Sequence, residues 1–432
     1  MTRRENHAGR RCHSRRLRRG FLAGRPALIA LGFPLRHCDV GSRRRPIVRW
    51  LLSGRATNAR ALRALVVVSF FLPGCATVHR VPFTEAQQLE ATIPGIPTAR
   101  FWADATDAGR QMSSSFRGAG GEKAMLVLSG GSDNGAYGAG VLNGWSKAGT
   151  RPEFSIVTGV STGALIAPLA FLGKDQDPTL ERIYTTISSR NIYRPRFAPT
   201  IPGSSSAATT KPLAGLIASV MTDALIDRIG REHSAGRRLF VGTANLDAQR
   251  MVVWNMGAIA ASSAPGRYTL FRKVLLASSS IPALFPPVMI RSKVARRAIE
   301  EMHVDGSTSA QILSLPDEMP AATAATSPLR LYIIVNNKLN GEFKLVTPRT
   351  IPIAIQSISL NMRSSLAATI SLSYLHARAR GIDFNISFIG TDYPGENRKL
   401  FDPVYMRGLY QYGLQRGQEA DLWHKRPPDQ AD

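Results

Sequence analysis

Apolar positions along the chain fall into two alternating periods. Ala124-Met125-Leu126-Val127-Leu128 is a continuous apolar run of strand length, as in a strand buried on both faces of a parallel sheet. Phe154-Ser155-Ile156-Val157 is a second β-type run, and residues 164–172 then take up an apolar helical pattern. Between the two runs lies a glycine-rich stretch, Ser129-Gly130-Gly131-Ser132-Asp133-Asn134-Gly135, which continues to Gly140 before Val141-Leu142-Asn143-Gly144-Trp145 reads as helix. Strand, glycine loop, helix, strand, turn and helix therefore follow one another, which predicts a βαβα unit in a sheet covered on both faces. The expected class is α/β, a three-layer sandwich around a mainly parallel sheet.

Downstream, the same reading predicts a helix over 213–229, strands over 238–244 and 250–254, and a helix over 268–277 broken by Ser278-Ser279-Ser280-Ile281-Pro282. His303-Val304-Asp305-Gly306-Ser307 ends a short strand in a turn. Leu331-Tyr332-Ile333-Ile334-Val335 is a buried strand, residues 351–380 a long helix, 383–389 a strand and 402–423 a terminal helix. Residues 190–212, rich in Arg, Pro, Ser and Thr, read as a surface loop or lid margin. The domain runs over 123–426, and 427–432 is a disordered tail.

A net charge of +25 suggests a polyanion partner until its location is considered. Residues 1–74 hold 17 of the 55 Lys and Arg and only 2 of the 30 Asp and Glu. The remainder is only moderately basic, so no nucleic-acid partner is expected. Cysteines stand only at 12, 38 and 75, which excludes a disulfide framework or a cysteine-based metal site after Cys75. The eight histidines show no metal-ligand spacing, and no cofactor or metal is expected.

The N-terminal charge divides further. Residues 1–54 are an Arg-rich extension, read as upstream sequence outside the native protein. Residues 55–74 form an export signal. Arg55, Arg60 and Arg63 precede the apolar run 64–72, which is too short to span a bilayer core of about 30 Å. Leu72-Pro73-Gly74-Cys75 resembles the lipobox of bacterial lipoproteins, with Cys75 the lipidated residue. Residues 75–122 read as a lipidated tether and pre-domain, with a helical patch over 85–91 and a flexible joint at Gly118-Ala119-Gly120-Gly121. The expected location is the cell envelope, and Ala76-Thr77, lacking the aspartate that retains lipoproteins at the inner membrane, leans toward the outer one.

The chemistry centres on Thr158-Gly159-Val160-Ser161-Thr162-Gly163. A serine with glycine two residues away on each side, between strand and helix, has the nucleophile-elbow pattern. Ser161 is the candidate acyl-transfer nucleophile. The glycine loop at 129–135 offers backbone N–H groups and a helix N-terminus to an oxyanion. It is not a phosphate loop, because Gly135 is followed by Ala136-Tyr137 rather than Lys and Ser or Thr.

Residues 128–140, Gly159 to Gly163 and Asp305-Gly306, in that order, resemble the three signatures of the patatin-like phospholipases. Residues 277–287 and Thr243-Ala244-Asn245-Leu246-Asp247 support the resemblance, which covers about 123–310. It implies a serine lipid acyl hydrolase acting on membrane lipids or other acyl esters. Ser161 would be the nucleophile, Asp305 the base, and Gly130, Gly131 and Ser132 the oxyanion hole, with Gly135, Gly159, Gly163 and Gly306 as supporting motif residues. Three positions depart from the family pattern: Ser132 replaces the third glycine, Asn134 the usual basic residue, and Ser307 the second glycine of Asp-Gly-Gly.

Two other readings remain at this level. A Ser-His-Asp esterase would use His376 or His424. An inactive envelope interaction protein would keep the fold without turnover. His303 is read as facing away from Asp305, and Asp133 as a helix cap.

Overall fold

A computed structural model describes residues 80–113, 123–196, 206–314, 329–341, 343, 345–395 and 399–428. The Arg-rich extension, the export signal, Cys75, the joint at 118–121 and residues 429–432 lie outside them. The strands are β1 (Arg100–Trp102), β2 (Lys123–Leu128), β3 (Ile156–Val160), β4 (Arg194–Pro195), β5 (Ala208–Thr209), β6 (Arg238–Asn245), β7 (Arg250–Asn255), β8 (Val288–Val294), β9 (Arg297–Asp305), β10 (Leu329–Val335) and β11 (Asp383–Phe388). The helices used below are α1 (Glu85–Glu90), α2 (Gly135–Lys147), α3 (Thr162–Leu172), α4 (Lys211–Val220), α5 (Asp223–Ser234), α6 (Arg267–Ser278), α7 (Thr350–Ala379) and α8 (Pro403–Arg416).

Nine strands form one sheet in which β6, β3, β2, β10 and β11 lie side by side and parallel. Strand alternation sends Ala124, Leu126 and Leu128 of β2 to one face and Met125 and Val127 to the other. The first face carries α2–α6 and α8. The second is covered by α7 through Leu366, Ile370 and Ala377. The three-layer α/β sandwich expected from the pattern is the architecture found.

One strand carries the arrangement that matters most. Along one edge of β6, β3 pairs in parallel as far as Val160 opposite Gly242. From the next residue, β9 takes over the same edge in antiparallel sense, with Asp305 opposite Thr243. The C-terminal ends of β3 and β9 therefore meet head-on against β6.

Several boundaries move from their expected places. β3 begins at Ile156 and takes in Thr158 and Gly159, while Phe154 packs below it in the core. α2 starts at Gly135, within the stretch read as loop. Gly140 lets α2 approach the backbone of α8, since a Cβ there would stand 2.2 Å from the Tyr410 carbonyl oxygen. The helix expected over 213–229 is two, α4 and α5, separated where Thr222 caps α5 by accepting from the Leu225 N–H at 3.2 Å. The terminal helix stops at Arg416, and His424 then bridges to Ile386. Within 190–212, the segment read as a surface loop, Arg194–Pro195 pairs with Ala208–Thr209, and Ser206, Ala208 and Thr210 are buried.

The stretch read as a tether is built into the domain where it is described. β1 is an edge strand on β7, and α1 lies against the β8–β9 hairpin. Arg100 of β1 and Glu301 of β9 form a buried ion pair at 2.7 Å. The boundary drawn at 122 from composition therefore does not separate residues 80–113 from the sheet.

Candidate active site

Ser161 occupies the turn between β3 and α3 with φ 56° and ψ −123°, a conformation L-residues avoid at a cost of about 1–3 kcal/mol. Two close approaches make the turn possible. A Cβ on Gly159 would stand 2.4 Å from the Gly163 carbonyl oxygen, and one on Gly163 2.4 Å from that of Leu128. The turn thus rests on the end of β2 as well as on itself. Gly135 lies against the Thr162 hydroxyl and Gly306 against the Gly242 carbonyl, so all four supporting glycines mark tight contacts around the elbow.

The Ser161 Oγ donates to Asp305 Oδ2 at 2.6 Å, across 144 residues of sequence. The other oxygen, Oδ1, accepts from the Ser307 N–H at 2.8 Å, which fixes the rotation of the carboxylate. Burial raises the Asp305 pKa to about 6, against the opposing hydrogen bonds from Ser161 and Ser307. The group is thus a stronger base than a solvated aspartate and is still mostly ionised at neutral pH.

The strained turn is held by residues the sequence did not single out. The Ser161 N–H donates to Ser278 Oγ at 3.0 Å, and Ser278 Oγ donates to the Gly242 carbonyl at 2.7 Å. Two residues on, the Ser280 carbonyl accepts from the Asp305 N–H at 2.9 Å. The end of α6 therefore grips both members of the pair. The available signal was three successive serines closing a helix, which reads as a breaker until the buried partners are known.

The glycine loop differs from expectation in one respect. The Gly130 N–H donates to the Gln311 carbonyl at 2.9 Å, so it is already committed. The N–H groups of Gly131 and Ser132 have no partner among the described residues and are free to donate to a bound group. Asn336 and Asn337, which follow β10, anchor this loop. Asn336 Nδ2 donates to the Ser129 carbonyl at 2.8 Å, and Asn337 Nδ2 to that of Gly130 at 3.0 Å.

Both serines that replace glycines sit at the centre. Ser132 has φ 57°, in the left-handed region that glycine would take without strain. Its Oγ and that of Ser307 are buried without a hydrogen-bond partner among the described residues. The Ser307 hydroxyl lies beside Gly130, where a Cβ would stand 2.2 Å from it and 3.3 Å from the Ser161 Cβ.

Other readings are corrected. Asp133 does not cap α2; its Oδ2 accepts from the Phe401 N–H at 2.8 Å, and Asn134 stands at the cap position without a side-chain bond to the helix N–H groups. The Asn134 Oδ1 accepts from the Tyr405 hydroxyl at 2.8 Å. His303 shares the face of Asp305, because residues two apart in a strand point the same way. It is nevertheless a packed residue. The Trp254 N–H donates to Thr243 Oγ1 at 2.8 Å, and the Thr243 hydroxyl meets His303 Nδ1 at 2.9 Å. Burial holds the His303 pKa below its usual value, so the ring is neutral. His376 lies on α7, and His424 is stacked on Phe388 and bridged to Ile386. The partner of the Ser161 hydroxyl is Asp305, which removes the Ser-His-Asp reading. Among the described residues, no group of three or more His, Cys, Asp or Glu side chains is placed to hold a metal ion.

The α/β sandwich thus presents a serine on a strained strand–helix turn with one buried carboxylate on its hydroxyl. Residues 126–314 match the family model described as Patatin-like phospholipase. Among solved structures, VipD from Legionella pneumophila is similar at 12% identity and a TM-score of 0.33. The likeness covers 69% of this chain and 66% of that one, just under two thirds of its length. No curated protein matches the chain.

Proposed function

We propose that the protein is a serine lipid acyl hydrolase of phospholipase A or esterase type, acting through a Ser161–Asp305 dyad. The observation that carries this reading is the 2.6 Å bond from Ser161 Oγ to Asp305 Oδ2. Asp305 takes the Ser161 proton as Oγ attacks the ester carbonyl, and the oxyanion receives the N–H groups of Gly131 and Ser132. The proton passes to the departing alcohol, leaving acyl-Ser161. Asp305 then deprotonates a water that releases the carboxylic acid and restores the serine. Acyl lipids as substrates are supported by the family match. Lipidation at Cys75 and a place on the bacterial cell envelope complete the proposal and rest on the lipobox pattern.

The test is ester hydrolysis together with fluorophosphonate labelling of the parent, Ser161→Ala and Asp305→Asn. Labelling and turnover lost in Ser161→Ala, with turnover at least about a thousandfold lower in Asp305→Asn, are the expected results. Wild-type turnover in both variants would sink the dyad. A fold retained for interaction without turnover is the competing reading, favoured by the commitment of the Gly130 N–H to Gln311. A parent that neither reacts with the probe nor hydrolyses esters would decide for it.

A further inference from the structure

The long helix α7 outreaches the sheet it covers. Its buried residues Leu366, Ile370, Ser373 and Ala377 all lie in the C-terminal half. That half, residues 366–379, spans about 21 Å, close to the height of a seven-residue strand. No described side chain over 352–365 is buried.

The direction of the helix follows from the strands on either side. β10 ends at Val335, and the next residue, Asn336, holds the glycine loop beside Ser161. After α7, β11 begins at Asp383 opposite Arg330, at the other end of β10. α7 therefore descends from the sheet edge that carries Ser161 to the opposite edge. Its first half, about 24 Å of helix, extends past the edge that carries Ser161.

That half exposes apolar side chains where a solvated helix carries charge. Ile353, Ile358 and Leu360 are 50%, 42% and 61% exposed, and Phe343 and Leu345, just ahead, are 97% and 88% exposed. The charges nearby are mostly cationic: from 342 to 365 they are Glu342, Lys344, Arg349 and Arg363. Among the described residues no helix is long and apolar enough to cross a membrane, so this is a surface element rather than a span.

We propose that the first half of α7, with Phe343 and Leu345, docks the protein on an anionic lipid bilayer. It would lie in the interface on the same side as Ser161. Its apolar side chains enter the headgroup boundary, and Lys344, Arg349 and Arg363 meet anionic lipid. A second copy of this chain fits less well, because two such faces, each with three cations to one carboxylate, would bring like charges together. The biological purpose rests on the lipid hydrolase reading, but the docking itself does not.

The test uses the full chain carrying Ser161→Ala, with phosphatidylcholine vesicles made with and without phosphatidylglycerol. Added Leu360→Trp reports locally, so an anchor elsewhere in the chain does not mimic its signal. The expected result is a blue-shifted emission difference and quenching by brominated lipid, stronger with phosphatidylglycerol and weakened by salt. Ile353→Ser with Leu360→Ser should lower partitioning about tenfold or more, and in the active chain should leave hydrolysis of a water-soluble short ester unchanged. No lipid quenching of Leu360→Trp overturns the proposal. So does a blue shift that depends on protein concentration and not on vesicles, or a loss of soluble-ester turnover as large as the loss of binding. If the chain lacks esterase activity altogether, the vesicle measurements still decide the docking.

Discussion

Gly130 and Ser307 compete for the same volume: a Cβ on Gly130 would stand 2.2 Å from the Ser307 hydroxyl oxygen. The hydroxyl is buried and without a partner among the described residues, and it lies next to the glycine loop. Gly130→Ala should therefore cost about 1–3 kcal/mol of stability by overpacking and reduce kcat. Ser307→Gly removes the clashing atom, and the double variant should recover part of both losses. A thermodynamic cycle on melting and turnover measures the coupling, and additive effects would show that the two positions do not share this space.

The raised pKa of Asp305 predicts two pH dependences of opposite usefulness. As the base, the carboxyl must be ionised, so kcat/KM should fall as pH drops through about 6. For stability, the folded carboxyl holds its proton more tightly than the unfolded one. Its contribution is fully present below about pH 4 and is lost as pH rises through about 6. Asp305→Asn should thus gain up to about 3 kcal/mol over the parent at pH 8 and little at pH 4, as read by denaturant titration at each pH.

Ser132 carries a left-handed backbone conformation without being glycine. Ser132→Gly should stabilise the protein by about 1 kcal/mol. The accompanying change in kcat then reports whether its unpartnered hydroxyl helps or hinders turnover.

Ser278→Ala leaves the Ser161 N–H and the Gly242 carbonyl without their shared hydroxyl. The expected loss is about 1–3 kcal/mol of stability, with kcat falling more than KM rises, because the turn that aims Ser161 loosens. Ser278→Thr, which restores the hydroxyl, should recover most of kcat. Equal kinetics in all three proteins would remove the positioning role.

Arg100→Ala should destabilise by about 3–5 kcal/mol by leaving Glu301 buried without its cation. Burial works against the Glu301 carboxylate, yet His303 and Arg100 together hold its pKa well below the usual range. Chemical denaturation of the variant measures the loss.

The sheet and the places of Ser161 and Asp305 were legible because their signals are local. β2 is an unbroken apolar run, the elbow is a glycine spacing, and Asp305 stands in a short motif. The rest depends on partners far away in sequence. Nothing around Gly130 announces that Gln311 will take its N–H. The three serines at the end of α6 look like a helix stop until Ser161 and Asp305 are set against them. Gly138 and Gly140 read as loop because glycine is costly in a helix, yet here they fit α2 against Asn336 and α8. Tertiary contact overrode local preference.

Because β3 and β9 end against one edge of β6, the spacing of Ser161 and Asp305 is a property of hydrogen-bond register. Sliding β9 by one residue along β6 would displace Asp305 by about 3.3 Å and turn its side chain to the other face. Chain inserted in the loops between α3 and β8 leaves that spacing alone wherever it spares β6 and the end of α6. The intervening segments are therefore free to vary in length and to reshape access to the site, while the distance across which the proton moves stays as constant as the pleat of a sheet.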